Sequence, residues 1–480
     1  MRAGIKYLLL LVLFLTGFLW LARKSVSTGV FGYDESDYAF DARLGWTANY
    51  TDTPTLPITD FLREGLGRGK SANQREALSE SIRKSNDVIF YRHWHGPLYF
   101  YWLIPAAALT HSEHALRTLS LFIPIVSFIV ISFGCLWLVG GWEGWLSAVL
   151  CSALFLWSWT TLGSTELAPH QLFACCCLLA LFLVAKMAAT SARLYLYGAT
   201  VAAGLAFCTL EVTFVLIATV VICAVLERRQ LALDWKLVLC AVAVFVATVL
   251  ILWPGAILKL SFVKAYLFMA YLAVFRKAPW GHETLLDTWL QRFTNSPVEW
   301  IVIVISIGFF VTNRAIRTKR LLYPFLIFAG LMMVATLRVT TGAPRYALPF
   351  MPALQVFAGL VTAAVLARRR KPFAVASATA IAAALFINAR IIVNRHPPGA
   401  DTQLAAVLAL IRAEHLESAP LLVPQDYLPT IHYYFPATSL RGYTGDHPTG
   451  PELDAGAVTG VLYRADPVRY EPVKIKGKFP

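Results

Sequence analysis

Charge is scarce in this chain: Asp, Glu, Lys and Arg make up 15% of its 480 residues, against about 25% in ordinary soluble domains. Hydrophobic residues make up 58% and mean hydropathy is +0.60. A water-soluble core cannot hide that much apolar surface, which excludes a soluble enzyme or binding module. Cysteine is missing from the polar loops. Cys135, Cys151, Cys175, Cys176, Cys177, Cys208, Cys223 and Cys240 all fall inside apolar runs, so no disulfide framework is placed in an aqueous loop. CxxC spacing is missing too: Cys175, Cys176 and Cys177 are consecutive, and consecutive helical residues diverge by about 100°, too far to converge on one ion. There is no internal repeat and no low-complexity tract.

What is present is a series of long apolar segments. After a first one, Tyr7 to Ala22, they recur at about 98–110, 116–139, 143–160, 168–186, 194–209, 211–226, 237–253, 299–312, 321–337, 346–366 and 372–388. The expected fold class is therefore an all-α polytopic membrane protein with about 11–13 transmembrane helices. The net charge of +14 would suggest nucleic acid in a soluble protein, but here the cations sit in short loops. Lys186 with Arg193, Arg228 with Arg229 and Lys236, Arg314 to Arg320, and Arg368 to Lys371 form four clusters of the kind that stays cytoplasmic. No nucleic-acid partner is expected. With Arg2 and Lys6 ahead of it and no small-x-small site after it, the first segment reads as an uncleaved helix.

These clusters put the N-terminus in the cytoplasm and the C-terminal tail outside, in a multi-pass plasma-membrane protein. That arrangement needs an odd number of crossings, whereas twelve segments are visible. The conflict is confined to residues 97–168, where one segment is miscounted. The expected organisation is a membrane domain over 1–390, with external loops at 23–96 and 254–298, and a small soluble external α/β domain over 391–480. Within the second loop, Phe262 to Phe275 reads as an amphipathic interfacial helix. In the tail, Thr402 to His415 is helix-like and Leu421-Leu422-Val423 strand-like.

Chemistry-bearing residues gather at the two ends of the first loop. It opens with Tyr33-Asp34-Glu35-Ser36-Asp37-Tyr38-Ala39-Phe40-Asp41. At helical spacing Asp34, Asp37 and Asp41 share one face, and Glu35 turns away by about 100°. A solvated acidic face is the plain reading, but carboxylates beside anionic lipid head groups need a reason to be there. The loop ends in Tyr91-Arg92-His93-Trp94-His95-Gly96-Pro97, running into a helix at Leu98. Its free amides and cations suit a phosphate, and its aromatics equally suit an interfacial belt with a snorkelling arginine.

Taken together, Tyr-Asp-Glu-x-x-Tyr-Ala after the first helix and His-x-Pro-Leu-Tyr at the start of the next resemble the GT-C glycosyltransferases of the protein O-mannosyltransferase type. That superfamily includes the enzyme that places aminoarabinose on lipid A. Three more motifs follow in the expected order: Ala115-Leu116-Arg117-Thr118-Leu119-Ser120, Thr165-Glu166-Leu167-Ala168-Pro169, and Pro344 to Pro352 with Arg345 and Tyr346. The resemblance covers roughly residues 5–390. Two departures stand out. His95-Gly96-Pro97 replaces a basic residue followed by Pro-Pro, which loosens the turn. Thr209-Leu210-Glu211 carries an acid where many relatives have lysine, implying a different donor head group or a different way of holding it.

The resemblance implies transfer of a hexosyl or pentosyl group from a polyprenyl-phosphate donor to a lipid, glycan or protein acceptor on the external side, with inversion. In that reading Asp34 is the catalytic base and Glu35 positions it, or shares with it a divalent cation such as Mg2+ or Mn2+. Arg92, His95, Arg345 and Tyr346 hold the donor phosphate, while Asp37, Tyr38 and Glu166 contact sugar or acceptor. The rival classes are a transporter or lipid flippase and a polysaccharide ligase or polymerase. The acids lie at helix ends rather than at mid-membrane, as transport sites usually do, and a ligase would lack the carboxylate pair after the first helix.

Overall fold

The computed structural model describes residues 2–44, 95–253, 283–337, 339–396, 401–443, 447–448, 453, 458–465 and 467–473. The segment 262–275, expected to be an interfacial helix, lies outside these, as does Arg92. The helices that build the bundle begin with α1 (Arg2–Ser25), α2 (Tyr33–Leu44), α3 (Leu98–Leu109), α4 (Glu113–Ser120), α5 (Phe122–Val139), α6 (Gly141–Leu156) and the short α7 (Trp159–Leu162). They continue with α8 (His170–Thr190), α9 (Arg193–Phe207), α10 (Phe214–Leu226), α11 (Trp235–Leu252), α12 (Leu285–Asn295), α13 (Pro297–Thr312), α14 (Tyr323–Ala335), α15 (Met351–Leu366) and α16 (Lys371–Arg395). The chain ends with α17 (Thr402–Ala413) and α18 (Leu428–Tyr434) among four strands.

Local chemistry sets many of these boundaries. Asp234 accepts from the Leu237 amide at the start of α11 at 2.7 Å, satisfying an amide that lipid would leave bare. Proline occupies the first turn of α13, α14, α15 and α16, where its missing N–H costs nothing. Between α5 and α6 the chain reverses through Gly140 and Gly141, at φ +71° and +54°, a left-handed pair that residues with a Cβ rarely adopt. Four helical segments are individually long and apolar enough to span a membrane: Glu113–Val139, α8, α11 and α16. The pair α12 and α13 is bent by 100°, so α12 lies across the end of the bundle and α13 enters it.

The ends of the helices sort onto two faces. On one, Lys186 donates to the Trp137 carbonyl at 2.8 Å, Arg193 to the Leu231 and Ala232 carbonyls, Lys319 pairs with Glu143, and Arg320 pairs with Glu227 at 2.7 Å. The Leu366 end of α15 and the Ala374 end of α16 pack there with Trp142 and Trp145. All four basic clusters therefore share this face. On the other, Thr165 donates to the Ser25 carbonyl, the Trp159 amide to Ser296, and the Glu283 amide to the Thr340 carbonyl, while Trp159 packs on His396.

This sorting resolves the parity conflict. The Leu98 amide donates to the Cys208 carbonyl at 2.9 Å, and just beyond the other end of α3, Glu113 accepts from Tyr434 at 2.6 Å. Both ends of α3 thus lie on the second face, and at about 1.5 Å per residue its 12 residues reach about 18 Å, short of a roughly 30 Å hydrocarbon core. It packs sideways on α2 through Tyr38, Ala39, Tyr99, Phe100 and Leu103. The segment is apolar because protein covers it. Without it, α1, α4 with α5, α6, α8, α9, α10, α11, α13, α14, α15 and α16 traverse the bundle in alternation, eleven passes among the described residues.

The C-terminal region is a four-stranded sheet in the order β2 (Leu440–Tyr443), β1 (Leu421–Pro424), β3 (Gly460–Tyr463), β4 (Arg469–Pro472). β1 pairs in parallel with β2 and β3, and β4 is antiparallel to β3. The helix and strand expected from Thr402 and Leu421 are both present. Tyr433 and Tyr434 tie the region to Phe31, Arg43 and Glu113.

Candidate functional site

Two arginines organise the second face, each with acidic partners. Arg117, from α4, is buried and uses every N–H it has. Nε and Nη2 donate to the two Glu35 oxygens at 2.8 and 2.6 Å. Nη1 donates to the carbonyls of Ser27 and Gly29, and Nη2 also to that of Val30, at 3.1, 2.7 and 3.1 Å. The guanidinium thereby grips the link between α1 and α2. Glu35 is equally saturated: its oxygens also accept from the Leu167 amide at 2.9 Å and the Gly32 amide at 3.2 Å, filling about four acceptor positions.

The expectation that Glu35 acts beside Asp34, or shares a divalent cation with it, does not fit this geometry. Its lone pairs are taken by a cation and two amides. Among the described residues no three His, Cys, Asp or Glu side chains converge as metal ligands.

Arg345 sits differently. It projects from a short turn, Pro344–Tyr346, and Nη2 meets Asp34 at 2.8 Å while Nη1 meets Glu166 at 3.2 Å. Nη2 also donates to the Tyr346 hydroxyl at 3.0 Å, and the guanidinium lies 4.9 Å from the Tyr346 ring. Nε is buried with no hydrogen-bond partner among the described residues. Unlike Glu35, Asp34 and Glu166 keep 33% and 35% of their side chains accessible. Glu166 is aimed here because its neighbours are pinned, Thr165 to the Ser25 carbonyl and Leu167 to Glu35. Partial burial among protein atoms raises its carboxyl pKa from 4.5 to about 7 despite the pull of Arg345. The carboxylate pair of this site is Asp34 with Glu166, not Asp34 with Glu35.

His95 lies on the adjoining wall, its ring 5.8 Å from Tyr38. Its Nδ1 is 2.9 Å from Glu211. Burial disfavours charge on the imidazole, but Glu211, supported by Asp34 and Asp37, outweighs it and holds the pKa above 6.5. The two departures from the family pattern therefore meet: the acid at 211 is the partner of the histidine at 95. Gly96 does not loosen the turn either, since a Cβ there would stand 2.1 Å from the Cys208 carbonyl oxygen. Glycine is what lets the segment carrying His95 close onto the end of α9. Asp37, Tyr38 and Asp41 are buried within α2, and Tyr346 packs edge-on against His170 at 5.5 Å.

Sequence reasoning assigned no role to Arg117 or to Arg292. Arg292, on α12, is 8% exposed and stacks over Trp289 and Phe350. Its Nε and Nη2 have no hydrogen-bond partner among the described residues, and it lines a small pocket with Trp159, Gly342 and Pro344. No acid stands three or four positions from Arg292 in the sequence; its burial was not visible there.

No protein-family model and no curated protein sequence matches this chain. Solved structures do. ArnT from Cupriavidus metallidurans, in the apo state, superposes with a TM-score of 0.58 at 15% identity, covering 92% of this chain and 86% of its own. The same protein bound to undecaprenyl phosphate gives 0.58 at 15%, covering 90% and 85%. The archaeal oligosaccharyltransferase AglB from Archaeoglobus fulgidus, in complex with an inhibitory peptide and a dolichol-phosphate, gives 0.52 at 15%, covering 91% of this chain and 64% of that one. The fold is that of the ArnT and AglB structures.

Proposed function

We propose that this GT-C membrane protein is an inverting glycosyltransferase that takes a sugar from a polyprenyl-phosphate carrier and delivers it to an acceptor hydroxyl. The observation that carries the reading is the accessible Asp34–Arg345–Glu166 constellation on one face of the bundle. Undecaprenyl phosphate and dolichol-phosphate, held by two proteins of this fold, support the donor class. The face bearing the four basic clusters would be cytoplasmic, and the site and the C-terminal region joined to it would then be external.

The acceptor oxygen attacks the anomeric carbon as the bond to the phosphate oxygen breaks. The electron pair leaves with the polyprenyl phosphate, and the acceptor proton passes to a carboxylate. Asp34 is that base. Glu166, with its pKa near neutrality, orients the acceptor or sugar and can hold a proton during turnover. Arg345 fixes both carboxylates and retains Nε for a phosphate oxygen. His95, whose imidazolium Glu211 favours, adds support for the leaving phosphate. Glu35 acts through position: with Arg117 it sets the link from which Asp34 projects.

The test is transfer of labelled sugar from a polyprenyl-phosphate donor by the purified full-length chain and its Asp34→Asn variant. Asn keeps the shape and removes the proton acceptor, so a loss of about 10²- to 10⁴-fold is expected, with donor binding retained. A fully active variant would remove Asp34 from the mechanism. Donor lipid carried across vesicles without sugar transfer would indicate a flippase.

A further inference from the structure

Between α1, α6 and α16 lies an apolar groove of about 730 Å³, lined by Phe14, Gly17, Trp20, Trp157, Ala382 and Phe386 among others. It exists because α16 buries a stripe of small residues, Ala374, Ala378 and Ala382, and α1 offers Gly17. Leu13 and Val375 on its edges are 64% and 43% exposed, so it opens sideways to the bilayer along its length. At its base the Trp157 indole, only 7% exposed, has an Nε1–H with no hydrogen-bond partner among the described residues.

Four cations cap the groove at the site face: Arg23 and Lys24 at the end of α1, Arg390 and Arg395 at the end of α16. All are exposed, and none pairs with a carboxylate among the described residues. Lys24 and Arg390 both lie over Trp20, at 4.6 and 5.8 Å from its ring. They stand on the face opposite the four basic clusters, where basic residues are ordinarily sparse, and an anion bound between them would offset their charge.

We propose that this groove is a binding site for an anionic phospholipid of the surrounding bilayer, with an acyl chain along Phe14, Gly17 and Ala382 and the phosphate between Lys24 and Arg390. Lys24 lies seven residues along α1 from Gly17, about 10 Å at 1.5 Å per residue. An ester carbonyl below the phosphate is the acceptor that depth offers to Trp157 Nε1. Lateral access selects a bilayer lipid, and the cations select its head group.

Native mass spectrometry of the full chain, released from mixed micelles containing phosphatidylglycerol, phosphatidylcholine and undecaprenyl phosphate, tests this. The parent is expected to retain phosphatidylglycerol over phosphatidylcholine by about tenfold or more. Lys24→Ala with Arg390→Ala, both at exposed positions, should abolish the preference. Ala383→Phe, which fills the groove from an exposed wall position, should reduce retention with the cations intact. Equal retention of the two phospholipids by the parent, an unchanged preference in the double variant, undiminished retention in Ala383→Phe, or displacement of phosphatidylglycerol by undecaprenyl phosphate would each overturn the proposal.

Discussion

Arg117 and Arg345 are both arginines held by acids on the same face of one bundle, and they do opposite work. Around Arg117 every donor and every Glu35 acceptor is used, and the pair's side chains are 4% and 9% exposed. Around Arg345 a donor is left over, two carboxylates compete for one cation, and each keeps about a third of its side chain accessible. A saturated pair can only hold structure, because any new partner must displace an existing bond. An unsaturated one can exchange partners with a substrate. The difference teaches that the acidic residue to watch in a motif is the one with bonds to spare.

The largest expected effect separates the two arginines. Arg117→Met leaves Glu35 buried without its cation, which costs about 3–5 kcal/mol. Thermal unfolding of the detergent-solubilised protein should show a large fall in midpoint. Arg345→Gln should move that midpoint little while abolishing sugar transfer. Equal destabilisation by both would erase the distinction.

Next comes pH. The Glu166 pKa is raised in the folded protein, from 4.5 to about 7. The folded state therefore holds this proton more tightly than the unfolded one. The stability it contributes is full below 4.5 and is lost as pH rises through about 7. Glu166→Gln should flatten this dependence and remove an inflection near pH 7 from the transfer profile. An unchanged profile would show that Glu166 does not titrate during turnover.

The smallest effect is expected at the His95 pair. Glu211→Gln removes the charge that offsets burial, so the His95 pKa should drop, measurable by NMR of labelled imidazole. The donor KM should then rise severalfold at neutral pH with kcat less affected. Donor use insensitive to the substitution would detach the pair from phosphate binding.

The helices were legible because lipid makes each one solve its own problem. A span must satisfy its backbone locally and show an apolar face over its whole length, so all eleven traversing elements are written in contiguous runs. α3 misled for the same reason, since contiguous apolarity does not say whether lipid or protein covers it. Asp34, Arg345 and Glu166 were named from motifs, but their grouping was not. His95 and Glu211 are 116 positions apart, Arg345 and Glu166 179, Arg117 and Glu35 82.

The sequence by itself determined that the chain lives in a bilayer, which of its loops are basic, and which side chains could do acid–base chemistry, because composition and short-range periodicity carry those properties. Only the tertiary structure decided that Asp34 is partnered by Glu166 and that Glu35 is locked to Arg117. A carboxylate's chemistry depends on how many of its lone pairs remain, and that count is set by groups brought from distant parts of the chain.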